Sequence, residues 1–219
     1  HLKEARFNGG EPFFFFFFWN IWEKIIDENP NILITVATNG TVWTPRVQDL
    51  LERGNFRINI SIDGFSKDIY EGIRKNAKHE RVFANLHQFG EYCKRRGTIF
   101  SLMVNPMRVN WQELPDLVRF CNEHEYHIWF NTVYRPFHLA LWTLPSSELI
   151  RIQESLLMRL ESMVGEKDVY SNQRKLQNFI SGQLQTWITE QREREQKKED
   201  YVSKQQKKKE AKSSVLERL

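Results

Sequence analysis

The chain has 219 residues, 40% of them hydrophobic, with 32 Lys and Arg against 28 Asp and Glu for a formal net charge of +4. That is apolar enough to bury a core, which sets aside a disordered chain, and so small a basic excess, gathered near the C-terminus, does not argue for nucleic acid. The two cysteines, Cys93 and Cys121, stand alone in helix-like surroundings, which excludes a disulfide framework and reads as two reduced thiols buried as small hydrophobes in a cytoplasmic protein.

His1 to Phe7 reads as a strand, and a chain that opens inside a strand without methionine is expected to be a fragment of a longer protein. Arg6-Phe7-Asn8-Gly9-Gly10-Glu11-Pro12 follows as a strand-to-helix turn. Its paired glycines allow positive φ and close approach to a ligand, and Pro12 suits a first helical turn. The six phenylalanines Phe13 to Phe18, with Trp19 and Trp22, start a helix that continues through Ile21, Ile25 and Ile26 to Asn29, where Pro30 stops it. Asn20, Glu23 and Lys24 interrupt this run too early for a membrane span, and the phenylalanines are expected to leave excess apolar surface.

Strand-like and helical stretches then alternate at spacings that suit βα units and hence a parallel sheet. Ile32 to Ala37 reads as a strand buried on both faces, ending in Thr38-Asn39-Gly40; Thr44 caps a helix with Pro45 at its first position, running to Arg53. Phe56 to Ile62 is the next strand, Ser66 caps a short helix to Arg74, and a longer helix runs from His79 to Arg96, closed by Gly97. Thr98 to Val104 and Tyr126 to Val133 are the last strands, separated by a helix that Asn110 caps and that carries Pro115 early. After Tyr134 the pattern becomes helical. One amphipathic helix spans Ser146 to Val164 and a second spans Val169 to Gln191, after which the sequence is dense in Lys, Glu, Arg and Gln. The lysine clusters Lys197-Lys198 and Lys207 to Lys209 are interleaved with Glu193, Glu195, Glu199 and Glu210, the pattern of a solvated helix or disordered tail.

Right-handed crossovers bring all strand exits to one edge of the sheet. That edge collects Gly9-Gly10-Glu11, Thr38-Asn39, Ser61 with Asp63, Asn105, and Asn131-Thr132. Five polar exits together describe the floor of a pocket for a polar, partly charged small molecule. Glu11 would pair with an ammonium, Ser61 and Asp63 with ribose hydroxyls, and the backbone at Val104-Asn105 with a base edge.

The series FNGGEP, TNG, NISIDG followed by YEGIR, and SLMVN resembles the radical S-adenosylmethionine superfamily over His1 to Trp142, nearest to the branch whose members often carry a SPASM or twitch extension. The resemblance implies an α/β fold, a partial (βα)6 barrel of which this chain lacks the first strand, followed by a helical C-terminal extension. It implies that Gly9, Gly10 and Glu11 bind the methionyl amino group, that Ser61 and Asp63 lie near the ribose, that Thr38, Asn39 and Asn105 line the pocket, and that Arg74 meets the carboxylate. It also implies a [4Fe–4S] cluster held by a CxxxCxxC loop upstream of the glycine turn, in residues this chain does not contain. Cys93 and Cys121 cannot replace that loop, because cluster ligation needs several convergent thiolates.

These readings divide the chain into a barrel core (1–134), a helical extension (135–190) and a charged tail (191–219). They make it part of an enzyme that generates a 5′-deoxyadenosyl radical for hydrogen abstraction, with an electron donor as partner and a substrate of unknown class, a peptide being one candidate. Alone it should be catalytically silent. The alternative is a degenerate, non-catalytic nucleoside-binding module that uses its basic tail for a partner.

Overall fold

The computed structural model describes the backbone of residues 2–216 and side chains through residue 207. Strands β1 (Glu4–Phe7), β2 (Leu33–Thr38), β3 (Asn55–Ser61), β4 (Phe100–Val104) and β5 (His127–Phe130) pair in parallel, in sequence order. Each parallel pairing requires a crossover. These are supplied by α1 (Phe16–Glu28), α2 (Pro45–Arg53), α3 (Lys67–Ile73) with α4 (His79–Arg96), and α5 (Leu114–His124).

Side chains alternate between the two faces of a strand, so the sheet has two distinct surfaces. Ile34, Val36, Phe56, Ile58, Ile60, Leu102, Val104 and Ile128 are fully buried in one core with Trp22, Leu50, Leu86, Phe89 and Leu117 of the helices. Burial of each such side chain contributes about 1.5–3 kcal/mol. The opposite face is polar. Register aligns Arg6 with Thr35 and Arg57, then Asn59 with Ser101 and His127, then Ser61 with Met103 and Trp129. This is the concave side of a partial barrel, and it corrects the expectation for β2: Leu33 and Ala37 lie on this side and are only half-buried.

The phenylalanine run divides. Phe13 sits in a short 3-10 turn (Pro12–Phe14) and stacks on Phe89, whereas Phe14 to Phe17 are 53–71% exposed and α1 begins at Phe16. Two capping expectations also change. Ser66 makes no side-chain cap bond, although its own amide and that of Phe65 donate to Glu113, and Asn110 faces the strand exits instead of capping α5.

Beyond β5 come α6 (Ser146–Glu161), α7 (Asn172–Asn178), a π-helical turn at Phe179–Leu184 and α8 (Gln185–Leu216). Leu149, Ile152 and Leu156 pack with Leu176, Ile180, Leu184 and Ile188 in the same core. Asn172 is fully buried: its Oδ1 accepts from the Ile128 amide (3.2 Å), and its Nδ2 donates to the Tyr126 carbonyl (2.8 Å) and to Asn122 Oδ1 (3.0 Å). The division expected at Glu190 falls inside α8. Gln191 still donates to the Trp142 carbonyl, and Glu195 accepts from the Ser146 amide (2.9 Å) and hydroxyl (2.5 Å) at the start of α6. The side chains of Lys208, Lys209 and Glu210, like all of His1, lie outside the described residues. Among the described residues no helix is long and apolar enough to cross a membrane.

Candidate functional site

The exit of β1 is shaped by Gly9 (φ +105°) and Gly10 (φ +61°), both in backbone regions that other residues seldom adopt. A Cβ on Gly10 would lie 2.5 Å from the Phe15 ring, whereas nothing lies within 4 Å of the corresponding point on Gly9. The turn is therefore closed below Gly10 and open above Gly9. Neither glycine's peptide groups make a hydrogen bond among the described residues. Glu11 is 7% exposed, and its Oε1 accepts from Thr38 Oγ1 (2.6 Å) and the Phe13 amide (3.3 Å) while Oε2 accepts from the Asn39 amide (2.7 Å). Burial raises the Glu11 pKa above the ordinary carboxylate value, and these three donors oppose the rise. With three of about four acceptor positions taken by the chain itself, Glu11 first of all binds the glycine turn to the exit of β2.

A second cluster forms at the exit of β3. Asp63 is 4% exposed; its Oδ2 pairs with Arg74 (2.5 Å) and its Oδ1 accepts from both the amide and the Nδ2 of Asn105 (2.9 Å each). Arg74 Nε has no partner among the described residues. Asn110, which sequence reasoning read as a helix cap, completes this cluster: its Nδ2 donates to the carbonyls of Asp63 (2.7 Å) and Asn105 (2.9 Å), and its Oδ1 accepts from the Met107 amide (2.6 Å). The Val104 carbonyl takes the Asn131 amide (2.9 Å), so the backbone expected to meet a base edge is already engaged within the chain. Thr132 is likewise held, by Gln183. Ser61 is half-buried on the concave face, and its hydroxyl makes no hydrogen bond among the described residues.

The structure thus assembles Glu11 with Thr38 and Asn39, and Asp63 with Arg74 and Asn105, leaving Ser61 and the glycine peptides free. Sequence reasoning missed the rows below the exits, where Arg6, Arg57, Asn59, Ser101, His127 and Trp129 line a cavity of about 310 Å³. Their signal was the strict alternation in Asn55–Ser61, with Asn, Arg, Asn and Ser on one face and Phe, Ile and Ile on the other. Glu4 accepts from Arg6 Nε (3.0 Å) and Thr35 Oγ1 (2.7 Å) and lies 3.5 Å from an Arg57 nitrogen. His127 stacks on Tyr170 at 3.8 Å, and its pKa is pushed down to about 4 by burial first and then by Lys175 and Arg57. Among the described residues no three of His, Cys, Asp and Glu converge as metal ligands. Both cysteines are buried, and burial pushes the Cys93 thiol up to about 11 and raises that of Cys121 as well.

A family model described as the radical SAM superfamily matches residues 2–121. Over 132 residues the chain is 26% identical to a GTP 3′,8-cyclase of Streptomyces coelicolor, covering 59% of this chain and 37% of that protein. Over 124 residues it is 29% identical to a probable GTP 3′,8-cyclase of Methanocaldococcus jannaschii, covering 56% and 40%. The chain therefore spans about two fifths of the length of these curated relatives. Among solved structures, SuiB of Streptococcus suis bound to S-adenosylmethionine aligns over 76% of this chain and 37% of that one, with TM-score 0.51 and 14% identity, a likeness of fold. A family match over more than half the chain, on a five-stranded parallel sheet whose first exit is Gly9-Gly10-Glu11, makes this chain a member of the radical S-adenosylmethionine superfamily.

Proposed function

We propose that this chain is the S-adenosylmethionine-binding part of a radical enzyme, with the cofactor lying across the strand exits. The carrying observation is the pair of unbonded glycine peptide groups, open to one side above Gly9 and held in place by the Glu11 carboxylate with its three donors. In this reading the peptides of Gly9 and Gly10 face the methionyl ammonium, and the free Ser61 hydroxyl faces the ribose. Asp63, braced by Asn105 and Asn110, holds Arg74 where a carboxylate would meet it. Thr38 and Asn39 form the wall between the two clusters.

The superfamily's cofactors are S-adenosylmethionine and a [4Fe–4S] cluster. The strand exits suit the first. They do not suit the second, because the described residues offer no convergent ligand set. The cluster ligands in this reading lie outside these residues. With one electron from the cluster and methionine leaving, bound S-adenosylmethionine would supply a 5′-deoxyadenosyl radical for hydrogen abstraction from a substrate; this chain would orient the adenosyl group over the concave face and keep water from it.

Residues 1–134 are then the cofactor-binding core of the SPASM/twitch-type branch, 135–190 its helical extension, and 191–219 a charged tail whose first turns rest on α6. The curated relatives are named for GTP, and a small molecule of that kind fits a cavity of about 310 Å³ better than a peptide does.

Calorimetric titration of S-adenosylmethionine into the 219-residue chain tests this. Weak binding is expected, reduced several-fold by Ser61→Ala and by Glu11→Gln with far-UV dichroism unchanged, together with no cubane absorbance after anaerobic iron and sulfide reconstitution. Binding indifferent to both substitutions, or a stoichiometric cluster spectrum, overturns the assignment.

A further inference from the structure

Two guanidinium groups project from the floor of the concave face, and the chain neutralises them only in part. Arg57 leaves the middle strand β3 between Thr35 and the β4 side, its side chain 28% exposed. Its Nε is out of contact with solvent and has no hydrogen-bond partner among the described residues. A charged donor left desolvated and unmet is costly, and buried polar groups in folded proteins are seldom left without a partner. The neighbouring Glu4 does not discharge it. That carboxylate is already taken by Arg6 at 3.0 Å and Thr35 at 2.7 Å, and it approaches Arg57 only to 3.5 Å through a terminal nitrogen.

The charge around this point is lopsided. Arg6 and Arg57 are two cations that share a single carboxylate, Glu4; the other acid at this edge, Asp63, is paired with Arg74. His127 on the same face is discouraged from protonating by burial first and then by the charges of Lys175 and Arg57. The cavity also carries neutral hydrogen-bonding groups, Asn59 and Ser101, and an apolar wall, Trp129, that is 47% exposed. Planar guanidinium forks match the spacing of carboxylate or phosphate oxygens, and a half-desolvated setting strengthens such pairs.

We propose that the concave face is an oxyanion-binding site in which Arg57, assisted by Arg6, holds a carboxylate or phosphate group of the substrate, and Trp129 flanks the remainder of that molecule. The proposal rests on the reading of this face as the substrate side of a radical enzyme. It deepens that reading by fixing the substrate's charge class and the residues that select it. Glu4 acts as a placeholder: it occupies the guanidinium groups when the site is empty and competes with the incoming anion.

The test uses the 219-residue chain and inorganic pyrophosphate as probe, followed by Trp fluorescence or calorimetry at low ionic strength, with citrate as the carboxylate arm. Saturable binding is expected, weakened at least tenfold by Arg57→Ala and a few-fold by Arg57→Lys, which keeps the charge but loses the fork. Glu4→Gln should tighten it a few-fold. That gain cannot come from misfolding. Citrate displacing pyrophosphate assigns a general oxyanion site, and failure to displace it assigns phosphate. Absence of saturable binding, or binding unchanged in both Arg57→Ala and Glu4→Gln, overturns the proposal. S-adenosylmethionine binding measured on the same samples keeps the two readings separate. Its loss with anion binding intact refutes the cofactor assignment alone, and the converse refutes only the oxyanion site.

Discussion

Replacing Glu11 with Gln isolates what this carboxylate does for the fold. The amide can keep its oxygen toward Thr38 and the Phe13 amide, but its NH2 then opposes the Asn39 amide that Glu11 accepts at 2.7 Å. Losing a charged acceptor and setting donor against donor costs ~1.5–3 kcal/mol, partly offset because a neutral amide escapes the desolvation that raises the Glu11 pKa. A net destabilisation of ~1–2 kcal/mol at neutral pH is expected on that balance. The pH dependence follows from the raised pKa. Above the ordinary value of 4.5 the native state holds its proton longer than the unfolded state, so the native advantage from this group is present in acid and declines as pH rises through the folded pKa. Glu11→Gln abolishes that decline, and the gap between wild type and variant should widen on going from pH 8 toward pH 5. Urea unfolding across that range measures it, with the midpoint shifting by about 0.5–1 M at an unchanged slope. A gap independent of pH, or one that narrows in acid, refutes the account of Glu11 as a buried, desolvated brace.

His127 should titrate near 4 by NMR, neutral through the physiological range; because its folded pKa lies below the ordinary 6.5, the stability it contributes is complete above 6.5 and is lost as pH falls toward 4. A midpoint between 6 and 7 would show that neither burial nor the charges of Lys175 and Arg57 act on it. Asn110→Ala strips partners from the Asp63 and Asn105 carbonyls and the Met107 amide in a fully buried site, and should cost ~2–4 kcal/mol. Thermal unfolding would register that as a fall of about 5–12 °C, and a change under ~0.5 kcal/mol would remove Asn110 from the bracing role.

The sheet was legible because its signals are local. Polar exits after apolar runs, Pro45 behind Thr44, and Gly97 after a basic last turn each mark a boundary by short-range chemistry, and the parallel order 1-2-3-4-5 follows from helical crossovers between neighbours. What was not legible depends on tertiary partners. Asn110 has the residue type of a cap, yet two carbonyls from separate strand exits draw its amide away, and no periodicity records that competition. Ser66 stands at the cap position without a side-chain cap bond, and its amide donates instead to a glutamate 47 residues downstream that no local pattern announces. The concave face was written plainly in the alternation of β3, whereas β2 hides it by placing apolar Leu33 and Ala37 on that side. Among the site residues, spacing placed the exits correctly on one edge. It could not tell that Glu11 and Asp63 would be occupied by the chain's own donors while Ser61 stayed free.

Asn172 bears on how this sheet can grow. An outer strand with bare amides is a template for another chain, and β5 would present one at Ile128 were it not met by the Asn172 side chain, with Tyr170 laid flat on His127 beside it. At Ile128 that side of the sheet is closed by the helical region itself. Along β1 no described residue performs the same service. Addition of a strand, whether from the same polypeptide or from another molecule, is thereby steered to the β1 margin, and the barrel has a direction in which it can close.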